Sequence, residues 1–195
     1  MKEYQENFIF DEIKTYYEEN PIFKLGEYYG EIDTDGKVLF LIKANCLCRI
    51  DDDLFAIQIG NKWGILNYYM EWLIEPQYDE LLPTNDHYYI VKKADKYGII
   101  NINNDVVTDF VYDSFECISH EKDYYRASID GKYGIINKFG RIIAPFIYDE
   151  ISIIMTEYGS AKINGRYGLL DGKGKPIKID MDSLKQQLQD YKELW

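Results

Sequence analysis

Apolar and polar positions alternate along this chain in short runs of about six residues, separated by turn residues at regular intervals. Residues 124–147 show the pattern in full. Tyr124 to Ile129, Lys132 to Asn137 and Arg141 to Ile147 read as three antiparallel strands, with Asp130-Gly131 as the tight turn between the first two. Asp-Gly between alternating apolar runs is a strong hairpin signal, because both turn positions need the positive φ that Gly, Asn and Asp tolerate. Equivalent turns fall at Gly26-Glu27, Gly60-Asn61, Ala94-Asp95 and Asn164-Gly165.

An aromatic-glycine pair follows each turn: Tyr29-Gly30, Trp63-Gly64, Tyr97-Gly98, Tyr133-Gly134 and Tyr167-Gly168. The glycines are 34, 34, 36 and 34 residues apart. A fixed period of this size marks an array of one supersecondary unit. Three residues after each glycine stands Asp33, Asn67, Asn101, Asn137 or Asp171, and six after it Gly36, Met70, Asn104, Gly140 or Gly174. Asx followed by Gly or Asn is the chemistry of a second tight turn, and Met70 predicts a looser or differently shaped one. Units close on Tyr78-Asp79-Glu80, Tyr112-Asp113-Ser114 and Tyr148-Asp149-Glu150. The same phrase stands early as Phe10-Asp11-Glu12, and Ala44-Asn45-Cys46 replaces it in the first full unit.

These columns resemble the WG-repeat family of bacterial proteins, with Trp63-Gly64 and Glu75-Pro76-Gln77-Tyr78-Asp79 the nearest match. Most units carry Tyr for Trp, and Asp109 stands where the Tyr97 unit lacks its Pro. The resemblance covers about residues 8–178 and implies a β-rich repeat scaffold used for interaction, with no catalytic residues to carry over. The fold expected is all-β: five three-stranded antiparallel meanders, about fifteen strands, over residues 1–180. An open stack is preferred to a propeller-like ring, because 34 residues look short for a four-stranded blade. Residues 181–195 place Met181, Leu184, Leu188, Tyr191 and Trp195 at helical spacing, which predicts an amphipathic helix capping the last unit.

Composition narrows the function. A formal charge of -12 repels phosphate backbones and anionic lipid, so nucleic acid and membrane surfaces are poor partners, and a basic protein is a good one. Cys46, Cys48 and Cys117 form no disulfide framework or zinc pattern, and no export signal stands at the N-terminus, so a cytoplasmic location is expected. His87 and His120 have no second ligand at metal spacing, and Asp51-Asp52-Asp53 lacks the glycine of a calcium loop. No cofactor or metal is expected. The column Lys62, Lys96, Lys132 and Arg166 either pairs with acids or lies over aromatic faces.

One column reads as a surface. Eleven residues before each anchor glycine lie Glu19, Asp53, His87 (with Asp86 beside it), Asp123 and Glu157, followed by Tyr88, Tyr124 or Tyr158. Equivalent positions in an array share an edge, so these residues predict an acidic-aromatic ridge for a partner. The expected function is a non-enzymatic protein-binding module. Its sharper form is an acidic inhibitor or immunity protein that neutralises a basic toxin or nuclease domain. The competing reading is a carbohydrate or cell-wall binder, whose repeated aromatics stack on sugar rings.

Overall fold

The architecture is that of a computed structural model, which describes residues 9–16, 19–119, 123–152 and 158–193. These residues form nineteen strands and one helix. The chain divides into two compact units, residues 1–115 with 138–140 and residues 116–137 with 141–195.

The strands build five antiparallel sheets in which neighbours follow chain order. The first holds β1 (Glu12–Tyr16), β2 (Glu19–Leu25), β3 (Tyr28–Ile32) and β4 (Val38–Lys43); the second β5 (Cys46–Asp51), β6 (Leu54–Ile59), β7 (Lys62–Asn67) and β8 (Trp72–Tyr78). The third holds β9 (Glu80–Pro83), β10 (Tyr88–Lys93), β11 (Lys96–Asn101) and β12 (Val106–Tyr112); the fourth β13 (Ser114–Ser119), β14 (Tyr124–Ile129), β15 (Lys132–Asn137) and β16 (Ile142–Tyr148). The fifth holds three strands, β17 (Glu150–Ile151), β18 (Tyr158–Ile163) and β19 (Arg166–Asp171).

Four strands in each of the first four sheets correct the three expected. The extra strand follows the Tyr-Asp phrase, which hands the chain to the next sheet and does not end a unit. Strands of four to seven residues joined by tight turns fit the repeat, so its length is no ground for preferring a stack over blade-like sheets. The Met70 turn is also tighter than expected. Met70 takes the left-handed φ of 63°, and its N–H closes on the Asn67 carbonyl at 2.9 Å, as Asn104 closes on Asn101 at 3.0 Å. The Asx side chains hold these turns: Asn137 Oδ1 accepts from the Arg141 N–H at 2.9 Å, and Asp171 Oδ1 from Lys175 at 2.9 Å.

The core runs between consecutive sheets. Ile22, Tyr29, Leu47, Phe55, Ile57 and Leu66 join the first two, Ile65, Ile74, Tyr78, Tyr89 and Ile100 the second and third, and Ile135, Ala144, Tyr148, Ile151 and Leu170 the fourth and fifth. The anchor glycine lets the fourth strand come close. A Cβ on Gly134 would sit 2.8 Å from the Ala144 carbonyl oxygen and 2.8 Å from Phe146 Cδ1, and one on Gly98 2.9 Å from the Thr108 oxygen. The residue after the glycine is then fully covered, as Ile65, Ile99 and Ile135 are. Each such burial contributes about 1.5–3 kcal/mol.

The fifth sheet departs from this plan. Pro176 bridges Leu170, and the Ile177 N–H reaches the Leu169 carbonyl at 2.8 Å, as a fourth strand begins to do. Pairing stops there. Lys178, Asp180 and Asp182 occupy the repeat positions of Ala144, Phe146 and Tyr148, and side chains this polar do not enter a dry seam. The chain turns instead into α1 (Met181–Glu193), capped by Asp180 Oδ1, which accepts from the Asp182 and Ser183 N–H groups at 3.1 and 3.0 Å. The helix is not the expected lid. Met181, Leu184 and Leu188 are all exposed, so the apolar residues described on this helix cover nothing in the fifth sheet; the side chain of Tyr191, and Trp195, lie outside the described residues.

Candidate functional site

In an antiparallel meander, the turn between the first two strands and the turn between the last two emerge at the same end. The predicted ridge residues sit at the first of these turns. Asp53 lies between β5 and β6, Asp86 and His87 between β9 and β10, and Asp123 immediately before β14; Glu19 opens β2. Asp86, His87 and Asp123 take left-handed φ values of 57°, 61° and 49°. Short polar side chains tolerate that conformation best, which explains the acids in this column.

Within the first unit two of the tips meet. His87 Nδ1 lies 3.4 Å from Asp51 Oδ2, and a depression of about 420 Å³ is lined by Asp51, Asp52, Asp53, Leu54, His87 and Ile102. The tip is held from beneath by Arg49, whose side chain is 5% exposed. Its Nη1 donates to the Asp52 carbonyl at 2.5 Å, and its Nη2 donates to Glu31 Oε2 at 2.7 Å. Glu31 is fully buried and also accepts from Asn20 Nδ2 at 3.0 Å. The Arg49 guanidinium lies 4.8 Å from the Phe55 ring centre. Glu19 joins this network, 3.4 Å from Arg49 Nη1, and so supports the tip instead of standing free. Nothing in the repeat pattern signals Arg49 or Glu31, which lie in different sheets and recur in no other unit.

Asp86 is also committed. It pairs with Lys138, whose side chain is almost wholly buried, and the ammonium holds the carboxyl below its usual range. The aromatic half of the predicted ridge divides. Tyr88 and Tyr124 are half-buried, Tyr88 meeting the Phe139 ring edge-on at 5.3 Å. The next residues inward, Phe55, Tyr89 and Tyr125, are core, and burial pushes the Tyr89 phenol up to about 12. Tyr158 is exposed. Glu157 and His120 lie outside the described residues.

At the opposite end of the sheets, the Tyr-Asp phrase forms a joint. Asp79 pairs with Lys62 of the sheet before it and accepts from the Ala94 N–H of the sheet after it at 3.3 Å. Lys96 with Asp113 and Lys132 with Asp149 repeat the ion pair. The lysines hold the Asp79 and Asp149 carboxyls below their ordinary range. Asn45 fills the same role in the first full unit, accepting from the Gly60 N–H at 2.7 Å. Tyr97 donates its hydroxyl to Glu80 at 2.7 Å and Tyr167 to Glu150 at 3.0 Å. A second depression, of about 290 Å³ in the second unit, is lined by groups already joined to one another, including Arg126 with the Ile151 carbonyl at 3.0 Å and Ser152 with Ser160 at 3.0 Å.

Four-stranded antiparallel meanders in series define a β-repeat protein. Residues 63–97, 97–133 and 133–166 match the WG containing repeat, and the chain belongs to that family. Among solved structures, two of Hsv2 from Kluyveromyces lactis match at 11% and 10% identity with TM-scores of 0.51 and 0.52. The matches cover 89% and 88% of this chain and 67% and 66% of those chains, so the chain spans about two thirds of their length. The WD40 beta propeller domain of Doa1 matches at 9% identity over 87% of this chain and 71% of that one, with a TM-score of 0.38. At these identities the likeness concerns the fold alone. No curated protein sequence matches.

Proposed function

We propose that this protein is a non-enzymatic binding module whose acidic hairpin tips receive a cationic surface of another protein, in the manner of an inhibitor or immunity protein. The supporting observation is the Asp51–Asp53 tip. Three consecutive carboxylates stand exposed around a shallow depression, and Arg49 and Glu31 fix their backbone from below. Pre-ordered charge of one sign speeds encounter with an oppositely charged partner and orients it.

Replacing Asp52 and Asp53 together by Lys tests the reading. Both are exposed, and neither belongs to the buried ion pairs, so the fold survives. Capture from native lysate followed by mass spectrometry is expected to return a basic protein with the natural chain and to lose it with the double variant. Equal recovery by both chains refutes the proposal. Asp86 is a poor probe, since reversing it strands the buried Lys138. The carbohydrate reading would draw on exposed rings such as Tyr69 and Phe139, which share a repeat position, yet Asp35, Asn103 and Lys173 hold that position in the other three units, so the column of rings is incomplete.

A further inference from the structure

The fifth sheet carries three vacancies that the complete sheets fill. A Cβ built on Gly168 meets nothing within 4 Å, whereas Gly98 and Gly134 are needed because a fourth-strand carbonyl lies against them. Leu169 is 38% exposed where Ile65, Ile99 and Ile135 are at 0%. Arg166 has no carboxylate partner among the described residues, although Lys62, Lys96 and Lys132 at its repeat position pair with the Asp that follows the fourth strand. Tyr167, at 68% exposure, marks the same open edge.

We propose that β19 is a docking edge for an extended strand of a partner protein, added antiparallel where the described residues give this sheet no fourth strand. The other sheets specify that strand. It carries a small residue opposite Leu169, as Ala144 stands opposite Ile135, and an aromatic residue opposite Tyr167, as Tyr148 stands opposite Tyr133. An acid follows the aromatic to meet Arg166. The edge also lies in a cationic stretch, with Arg166, Lys173, Lys175 and Lys178, in a chain whose net charge is -12. The incoming strand displaces only the Pro176 bridge and the single Ile177 bond. Main-chain hydrogen bonds supply affinity in this mode and the alternate side chains supply specificity. This surface is separate from the Asp51–Asp53 tip, and the inference does not depend on it.

The probe is a labelled peptide with the sequence of residues 141–151, RIIAPFIYDEI, titrated into the full chain and followed by fluorescence anisotropy. Saturable binding is expected. Gly168→Val is expected to weaken it by about tenfold or more, since the new side chain occupies the space the strand's carbonyl needs. Arg166→Glu weakens it as well, and neither substitution lowers the thermal midpoint, because both side chains face open space. No saturable binding, or binding that neither substitution changes, overturns the proposal. Sedimentation velocity is run alongside: a natural chain that self-associates through this edge, with Gly168→Val monomeric, also overturns it by making a second copy the occupant.

Discussion

Gly134 and Gly168 occupy the same repeat position in neighbouring sheets, and replacing each by Ala separates the two environments. At Gly134 the new Cβ lies 2.8 Å from both the Ala144 oxygen and a Phe146 ring carbon, where ordinary contact begins near 3.4 Å. β16 must retreat, and such overpacking costs about 1–3 kcal/mol. If the retreat uncovers Ile135, part of a further 1.5–3 kcal/mol, roughly, is lost. Against this, Ala restricts the unfolded chain and returns about 0.4–1 kcal/mol. The net expectation is a loss of about 2–3 kcal/mol. At about 2–4 °C per kcal/mol for a chain of this size, the midpoint falls by roughly 4–12 °C. Gly168→Ala meets no atom and carries only the unfolded-state gain, so it is neutral or stabilising by about 0.4–1 kcal/mol. Parallel thermal unfolding followed by circular dichroism measures both. Equal effects in the two variants, or no loss at Gly134, would refute the claim that this glycine admits the fourth strand.

Glu31→Gln leaves the buried Arg49 cation short of its nearest counter-charge and is expected to cost about 3 kcal/mol in denaturant unfolding, with faster amide exchange at Asp52 and Asp53. Asp79 and Asp149 have pKa values lowered below the ordinary 3.8 by their lysines, so their contribution to stability is complete above that value and is lost as pH falls through the lower folded value. Unfolding in urea between about pH 6 and about pH 3 should show this acid-side loss, and the double variant Asp79→Asn/Asp149→Asn should flatten it. Leu184→Ser and Leu188→Ser, on the uncovered helix, are expected to change stability by no more than about 0.5 kcal/mol; a larger loss would restore the helix as a cap.

The period, both turns and the aromatic-glycine anchor were legible in the sequence because each depends on local backbone chemistry. The first strand of each sheet was not. β9, ELLP, and β13, SFECIS, lie half in solvent and follow no clear alternation, so period-two reading passes over them. The acids at the hairpin tips were legible as a column, whereas the fate of the rings was not: Tyr88 and Tyr89 point to opposite faces, and only the neighbouring sheet decides which is buried. Arg49 with Glu31 was invisible for another reason. The pair spans two sheets, breaks the repeat, and becomes meaningful only when both side chains are found in the same dry space.

The bond pattern around Asp79 bears on how such a chain lengthens. One carboxylate reaches back to a lysine in the preceding copy and forward to a turn in the following one, so a duplicated segment that carries this aspartate arrives with its own coupling hardware. Gain or loss of a whole copy through recombination near that aspartate leaves both seams chemically intact. Copy number can therefore drift during evolution while the fit between neighbours is inherited unchanged.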